Sequence, residues 1–397
     1  MTRANHLNAR LQGFGTTIFA EMSALAAETG ALNLGQGFPD TDGPAEVSEA
    51  AVNAIRDGHN QYPPGPGTAD LRQAVAEHQE RFWGLRFDPD REVLITAGAT
   101  EALAATMLGL CELGDEVVAF VPTYDSYAAG VAMAGATLRG VLLRPPNEDS
   151  DGAFWFDRDE LRAAIGPRTR LVLLNTPHNP TGKVFSEDEL AYIAELCVAN
   201  DVLVVTDEVY EHLVFTGVHR PLASFPGMAE RTLTVSSGGK TFSFTGWKIG
   251  WACGPPDLVA AVRTAKQFLT FVNGAPFQPA IATGLRLGDD YFDDFVSTMR
   301  AKRDLLCGLL VKAGFEVFSP EGTYFVTTDI APFGRDDGIE FCLELPKLAG
   351  VVAVPSAVFY QNPADGARLV RFCFAKRDEV LTEAGERLIA ALGPSAA

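Results

Sequence analysis

The chain has 397 residues, and 47% of them are hydrophobic, which allows a large core and two or three domains. Lysine and arginine number 32 against 51 aspartates and glutamates, and the net charge of −19 disfavours nucleic acid and anionic membrane surfaces as partners. The six cysteines form no C-x-x-C pair, and we find neither a secretory signal nor a long apolar run. We therefore expect a cytoplasmic protein with reduced thiols and no membrane span.

Short apolar runs rich in β-branched residues alternate with segments of helical periodicity through the first two thirds of the chain. Strands are predicted at 92–96, 116–121, 169–175, 202–206 and 232–237, and helices at 99–114, before 135 and at 186–200. The last of these helices begins with Ser186 and Glu189 at the spacing of a capping box. Near-continuous apolar strands are typical of a parallel sheet with helices on both faces, so we predict an α/β fold.

The pattern changes after about Pro276, where a long helix is predicted at 291–314. Short strands follow it, in the segments FEVFSP, TYFVTT, GVVAVP and LVRFCF. We predict a large domain at 44–275 with a mostly parallel sheet, and a smaller α+β domain at 276–397. The N-terminal segment, 1–43, has no clear strand–helix pairing and is predicted to join the smaller domain.

Polar residues follow several of the apolar strands, at the point where each strand ends. Asn175, Asp207 and Ser237 end three strands, and Tyr210 and Lys240 come three residues after the last two of them. The carboxyl ends of parallel strands meet at one edge of a sheet, where open α/β sheets bind their ligands. We therefore predict that these five residues share one pocket.

The residue types indicate what this pocket binds. The segment from Gly98 to Thr100 follows a strand and begins a helix, so its N–H groups would face an anion, and Lys248 adds a fixed charge. Asp207 follows a buried strand and needs a cationic partner to stay ionised, which a protonated pyridine nitrogen would provide. Lys240 is a primary amine that can form an imine with an aldehyde. Phosphate, pyridine nitrogen and aldehyde together predict pyridoxal 5'-phosphate as the cofactor.

Six motifs, spread over nearly the whole chain, resemble the class I/II aminotransferases of fold type I and occur in that family's order. They are NLGQGFPD (33–40), TAGATEAL (96–103), NTPHNPTGKV (175–184), TDEVYEHL (206–213), SSGGKTFSFTGWKIGW (236–251) and LVRFCFAKRDEVL (369–381). Within the family the chain resembles the branch of kynurenine and glutamine transaminases. It is most similar there to actinobacterial N-succinyldiaminopimelate aminotransferases.

The resemblance implies a role for each residue around the cofactor ring. Lys240 would bond the cofactor and later move the proton of the substrate α-carbon. Asp207 would pair with the pyridinium nitrogen, which keeps the ring electron-withdrawing. Tyr210 and Asn179 would donate hydrogen bonds to the phenolic oxygen of the ring, and Tyr124 would stack on its face.

The resemblance also implies a cradle for the cofactor phosphate. Its members would be Gly98, Ala99, Thr100, Ser237 and Lys248. Tyr62 would reach the phosphate held by the neighbouring subunit, which implies a homodimer with shared active sites. Gly238 and Gly239 precede Lys240 and would let the backbone come close to the cofactor.

Four residues are expected to bind the substrates, an L-amino acid and a 2-oxo acid. Arg371 would hold the α-carboxylate with two parallel hydrogen bonds, and Asn175 would help from the other side. Gly37 and Phe19 would line the side-chain pocket. The amino donor expected from the resemblance is N-succinyl-LL-diaminopimelate, with 2-oxoglutarate and glutamate as the other pair, in lysine biosynthesis.

Other interpretations stay open at this point. The alternatives for the reaction are a transaminase of the kynurenine, glutamine or methionine type and a β-lyase acting on cysteine S-conjugates. A ligand-sensing regulator with an aminotransferase-like domain is disfavoured, because the NLGQGFPD motif begins at residue 33 and leaves no room for a preceding DNA-binding segment. The six histidines show no ligand spacing, so no metal site is expected.

Overall fold

The computed structural model describes residues 6–15, 17–148, 150 and 152–393. Its α-helices are α1 Ile18–Thr29, α2 Ala45–Arg56, α3 Ala69–Trp83, α4 Gly98–Leu110, α5 Asp125–Ala134, α6 Arg158–Ala164, α7 Glu187–Ala199, α8 Gly238–Thr241, α9 Pro256–Leu269, α10 Phe277–Leu285, α11 Asp289–Ala313, α12 Gly338–Ala349 and α13 Asp378–Leu392. Its strands are β1 Leu32–Asn33, β2 Val93–Thr96, β3 Glu116–Val121, β4 Thr137–Leu142, β5 Thr169–Asn175, β6 Leu203–Asp207, β7 Thr232–Ser237, β8 Gly250–Cys253, β9 Glu316–Phe318, β10 Phe325–Asp329, β11 Val351–Val352, β12 Val354–Pro355 and β13 Leu369–Cys373.

A seven-stranded sheet forms the centre of the larger part of the molecule, in the order β2-β8-β7-β6-β5-β3-β4. The five strands from β7 to β4 are parallel to one another. Strand β8 runs antiparallel to both of its neighbours, β7 and β2. The predicted α/β fold with a mostly parallel sheet is therefore confirmed.

Helices cover both faces of this sheet, and the strand sequences account for it. In β5, Leu171 and Leu173 pack against α4 and α9, while Val172 and Leu174 pack on the opposite face against α7. Successive side chains of a strand point to opposite faces, so a strand buried on both faces must be apolar at every position. The near-continuous apolar runs seen in the sequence have this cause.

The smaller part contains an antiparallel sheet in the order β12-β13-β10-β9, packed against α11, α12 and α13. Strand β1 pairs in parallel with β11, and Met22, Ala26 and Leu34 lie in the same core as this sheet. Helix α10 instead packs on α2 and α3 in the core of the larger part. The predicted domain limits, 1–43, 44–275 and 276–397, remain predictions.

Two strands of the seven-stranded sheet, β4 and β8, were not predicted from the sequence. Strand β4 lies at the sheet edge with several partly exposed residues, so it lacks the continuous apolar run of its neighbours. Strand β8 is four residues long and begins with a glycine.

The predicted capping box is present at the start of α7, where the Ser186 hydroxyl and the Glu189 carboxylate accept each other's backbone N–H groups. No helix in the described ranges is long and apolar enough to cross a membrane.

Candidate active site

A cavity of about 350 Å³ lies at the carboxyl ends of β5, β6 and β7, and Phe325 and Arg371 reach it from the smaller sheet. Every predicted site residue except Tyr62 lines it. These residues are Phe19, Gly37, Gly98, Ala99, Thr100, Tyr124, Asn175, Asn179, Asp207, Tyr210, Ser237, Lys240, Lys248 and Arg371. Strand order explains this convergence, because β5, β6 and β7 are adjacent in the sheet although their ends span more than sixty residues of sequence.

Asn175 ties two of these strand ends together. It is directly opposite Asp207 in the parallel pair of β5 and β6. Its amide nitrogen donates to the Asp207 backbone carbonyl at 2.8 Å, and its amide oxygen accepts from the Asn179 backbone N–H at 2.7 Å. One side chain thus holds the ends of both strands and the loop that follows β5.

Asp207 is a buried carboxylate whose hydrogen-bond partners are neutral. The Tyr127 hydroxyl donates to its Oδ2 at 2.6 Å, and the Val209 N–H donates to its Oδ1 at 3.3 Å. Burial raises the pKa of Asp207 to about 6, although these two hydrogen bonds favour its ionised form. A carboxylate in this position is stabilised by a cationic ligand, as a protonated ring nitrogen would be.

Lys240 lies in the short helix α8, directly after β7. Its Nζ donates to the Gly37 carbonyl at 3.4 Å and lies 5.9 Å from the centre of the Tyr210 ring. The Tyr324 hydroxyl donates to the same carbonyl at 2.6 Å. Burial is the main cause that lowers the pKa of the Lys240 amine to about 8, so about one tenth of it is neutral and nucleophilic at pH 7.

The anion site is expected at the start of α4. Gly98 has φ +72°, a left-handed conformation that favours glycine, and an added methyl group would lie 3.1 Å from Lys248 Nζ. The lysine ammonium therefore lies close against the first turn of a helix, where N–H groups and the helix dipole also attract anions. Ala99, Thr100 and Ser237 line the same end of the cavity.

Arg371 is a buried cation whose hydrogen bonds all go to neutral groups. Its guanidinium donates to Asn179 Oδ1 at 3.0 Å and to the Gly35 carbonyl at 3.2 Å, and its Nε has no partner among the described residues. It stacks 3.9 Å above the Phe325 ring, with the Phe19 ring 5.2 Å away. Burial lowers the pKa of Arg371 to about 10, so it keeps its charge at neutral pH and can bind a carboxylate.

Tyr62 is the predicted site residue that this cavity does not include. It is 81% exposed, and the edge of its ring contacts Phe271, with 5.6 Å between ring centres. Its predicted role concerns the site of a neighbouring subunit and stays a prediction.

Sequence reasoning missed several residues that line the cavity. They are Gln36, Phe38, Leu103, Tyr127, Val209, Thr245, Ile249 and Phe325. Tyr127 is the most informative of them, because it lies in the first turn of α5, three residues after Tyr124, which directly precedes that helix. That spacing was available in the sequence. Phe325 had no comparable signal, since its position depends on how the smaller sheet packs against the larger one.

A buried amine and a buried carboxylate lie with a helix start at the carboxyl edge of a parallel sheet, an arrangement that fits a pyridoxal-phosphate-dependent enzyme of fold type I. The chain belongs to the aminotransferase class I and II family, whose model matches residues 29–388. The resemblance drawn from the motifs is thereby confirmed. The enzyme takes amino acid and 2-oxo acid substrates.

Individual relatives match along nearly the whole chain. The probable N-succinyldiaminopimelate aminotransferase DapC of Mycobacterium tuberculosis is 54% identical over 388 residues, which are 96% of this chain and 97% of that protein. A solved structure of N-succinyldiaminopimelate aminotransferase from Mycobacterium tuberculosis has a TM-score of 0.94 at 53% identity and covers 97% of this chain and 100% of the other. The methionine aminotransferase of Escherichia coli is 40% identical over 380 residues, which are 96% of this chain and 97% of that protein.

The residues of the cavity fit pyridoxal phosphate, the cofactor of this family. When bound, this group supplies an aldehyde that condenses with amines and a protonated ring that withdraws electrons from the reacting carbon. Asp207, which has no cationic hydrogen-bond partner, fits the ring nitrogen, and the partly neutral amine of Lys240 fits the aldehyde. Lys248 and the first turn of α4 fit the phosphate.

Uptake of the cofactor by the cofactor-free protein should depend on pH. With the pKa of Lys240 lowered to about 8 by burial, its neutral fraction rises with pH. The fraction goes from about one tenth at pH 7 to about one half at pH 8, so we expect the rate of bond formation to rise about fivefold. Stopped-flow absorbance measures this rate. Pyridoxamine phosphate, which has no aldehyde, is the control and should bind without this pH profile; identical profiles would contradict the role of the Lys240 amine.

Proposed function

We propose that the enzyme interconverts N-succinyl-LL-diaminopimelate and its 2-oxo form, with the 2-oxoglutarate and glutamate pair as partner substrates, in lysine biosynthesis. The observation that supports this most strongly is the 54% identity over 96% of the chain to the probable N-succinyldiaminopimelate aminotransferase of Mycobacterium tuberculosis. Methionine and kynurenine transaminases are less similar, at 40% identity or below.

In this proposal each polar residue of the cavity has one task. The Lys240 amine binds the cofactor and then carries the proton between the substrate α-carbon and the cofactor. Asp207 holds a positive charge on the ring nitrogen, and Tyr127 holds the Asp207 carboxylate in position. Arg371 and Asn175 orient the substrate α-carboxylate, and Asn179 links that site to the ring because its amide oxygen accepts from Arg371.

A second candidate function is a transaminase for aromatic or methionine-like amino acids, or a β-lyase on their cysteine-conjugate analogues. The aromatic lining of the cavity favours it: Phe19, Phe38, Tyr124 and Phe325 surround the space next to Arg371. The cations that line the cavity in the described part of the chain are Lys240, Lys248 and Arg371. In this proposal they bind the cofactor aldehyde, the cofactor phosphate and the substrate α-carboxylate, respectively. A succinylated substrate with distal carboxylates would need a further cation from outside this cavity.

A panel of amino donors separates these candidates. N-succinyl-LL-diaminopimelate, glutamate, kynurenine, glutamine and methionine are each mixed with the loaded enzyme, and the half-reaction is followed by the change in cofactor absorbance. We expect the succinylated donor to have the highest kcat/KM. Faster reaction of kynurenine or methionine would overturn this choice of substrate, and turnover of a cysteine conjugate without any 2-oxo acid would identify β-elimination.

The substrate α-carboxylate contact can be tested with Arg371→Lys. The variant keeps the charge but loses the pair of parallel hydrogen bonds, so the substrate can rotate about a single contact. We expect kcat/KM to fall for donor and acceptor alike, by a factor that corresponds to a loss of about 2–4 kcal/mol in transition-state stabilisation. The affinity for the cofactor should be unchanged. Arg368→Lys is the matched control, because Arg368 pairs with Asp329 beside the same strand and does not line the cavity. Normal kcat/KM together with lost cofactor would assign Arg371 to the phosphate site instead.

We also propose that the enzyme is a cytoplasmic homodimer with shared active sites. A group of exposed aromatic residues supports a second copy as partner: Tyr62, Phe268 and Phe271 are 81%, 80% and 51% exposed, and Tyr62 contacts Phe271. In this arrangement Tyr62 of one subunit completes the phosphate site of the other. The six unpaired cysteines are consistent with the cytoplasm.

Mixed dimers test the shared site. When Lys240→Ala chains are combined with Tyr62→Phe chains, each mixed dimer has one site with both native residues. Activity should therefore rise above the mean of the two parent variants. Lys240→Ala combined with Lys248→Ala is the control, because both residues belong to the same chain's cavity and no native site can form. Equal results from the two mixtures would exclude a role for Tyr62 across the interface.

A further inference from the structure

A group of metal-ligating side chains lies buried next to the active site but outside its cavity. His78 comes from α3, and Glu211 and His212 come from the segment after β6. One ligand atom from each of the three lies within 4.8 Å of the others, and all three residues are buried. We call these residues the His78–His212 cluster. None of them lines the cavity described above.

The two imidazoles of the cluster face each other with their ligating nitrogens. His78 Nε2 and His212 Nε2 are 2.8 Å apart, so at most one of them carries a proton toward the other while the rings are neutral. The ring of His78 has no second partner, because its Nδ1 is buried and unpaired among the described residues. Neutral imidazole nitrogens brought together in this way can serve as metal ligands.

Glu211 completes the group with a buried carboxyl group. Its carboxylate accepts from the Ser236 hydroxyl at 2.6 Å, from the Trp83 indole N–H and from the Gln79 amide, and all three donors are neutral. A buried carboxylate with neutral partners is stabilised by a cation. The Gln79 amide oxygen is also buried and has no partner in the described part of the chain.

We propose that the His78–His212 cluster is a site for a divalent transition-metal ion, with Zn²⁺ as the reference ion. The ligands are His78 Nε2, His212 Nε2 and a Glu211 carboxylate oxygen. Zn–N distances of about 2.0–2.1 Å in a tetrahedral site place two nitrogens about 3.3 Å apart, so the imidazoles separate by about half an ångström on binding. Trp83 and Ser236 already orient the carboxylate, as outer partners of metal ligands do.

The position of the cluster assigns the ion a structural task. Glu211 directly follows Tyr210, and Ser236 directly precedes Ser237, so the ligand shell adjoins two residues of the cofactor site. The ion would tie α3 to the segment after β6. Zinc should therefore stabilise the folded protein without taking part in the reaction, and this inference holds whatever the amino donor is.

Metal binding by the loaded enzyme tests the proposal. The protein is dialysed against a chelator, incubated with Zn²⁺ or with Co²⁺, freed of excess ion and analysed for bound metal, and the Co²⁺ form is examined by visible absorption. The variants are His78→Gln and His212→Gln, and His59→Gln is the matched control because His59 is exposed and does not belong to the cluster. Circular dichroism and cofactor absorbance confirm that each variant is folded and loaded.

We expect about one Zn²⁺ per chain in the unaltered enzyme and in His59→Gln, and at least tenfold weaker binding in His78→Gln and His212→Gln. Added Zn²⁺ should raise the melting temperature of the first pair and leave that of the second pair unchanged. Equal Zn²⁺ binding by all four proteins would assign the metal to other groups, such as the thiols, and overturn the proposal. Absence of bound metal in the unaltered enzyme would overturn it as well.

Discussion

Lys240→Ala should reduce the half-reaction with any amino donor by at least about 10⁴-fold in kcat, since one residue supplies both the covalent attachment and the proton transfer. The Lys240 side chain follows β7 in helix α8, and its amine lies close to the Gly37 carbonyl and the Tyr210 ring. Single-turnover absorbance with an excess of donor measures the loss. The variant should still bind the cofactor, because the phosphate site and Asp207 are intact.

Borohydride reduction gives a second measurement that does not depend on turnover. In the unaltered enzyme the reduced cofactor should stay attached to the peptide that contains Lys240, and in Lys240→Ala no peptide should carry it. Lys248→Ala is the matched control, because Lys248 lines the same cavity but lies against Gly98 at the phosphate end. That variant should need more cofactor yet retain the label on Lys240. A label on any other lysine of the unaltered enzyme would refute the assignment.

Much of the site could be predicted because its residues are placed by regular elements. Asn175, Asp207 and Ser237 end strands that are adjacent in the sheet, and the parallel register puts Asn175 directly opposite Asp207. Apolar runs predict such strands, and the sheet geometry then determines which residues meet. The motifs added Arg371, which comes from β13 in the other sheet and has no local signal of its own.

Residues whose positions depend on packing between distant segments were harder to predict. Phe325 stacks on Arg371 because β10 and β13 pair in the smaller sheet and the whole sheet then packs over the cavity. His78 and His212 are 134 residues apart and have no ligand spacing in the sequence, although their nitrogens lie 2.8 Å apart in the fold. The sequence pattern predicts strands and helices but not which side chains two elements bring together when they pack.

Asp207→Asn should lower kcat by at least about 10³-fold while leaving the protein folded, which is the range for removing one preorganised charged group. The amide retains the shape of the carboxylate: its oxygen can still accept from the Val209 N–H, and its NH2 group can donate to the Tyr127 hydroxyl. It no longer stabilises a positive ring nitrogen, so the proton of the substrate α-carbon becomes harder to remove. The rate of proton loss from a deuterated donor measures the effect, and the isotope effect should increase.

Glu208→Gln is the matched control for this prediction, because Glu208 is the adjacent buried carboxylate but pairs with His219 and does not line the cavity. Its kcat should stay near that of the unaltered enzyme. A cofactor analogue methylated at the ring nitrogen carries a permanent positive charge and should restore part of the lost rate in Asp207→Asn. The contrary outcome is that the analogue restores no activity to Asp207→Asn while Glu208→Gln loses as much activity as Asp207→Asn. In that case the loss comes from disturbed buried structure, and Asp207 does not act through the ring nitrogen.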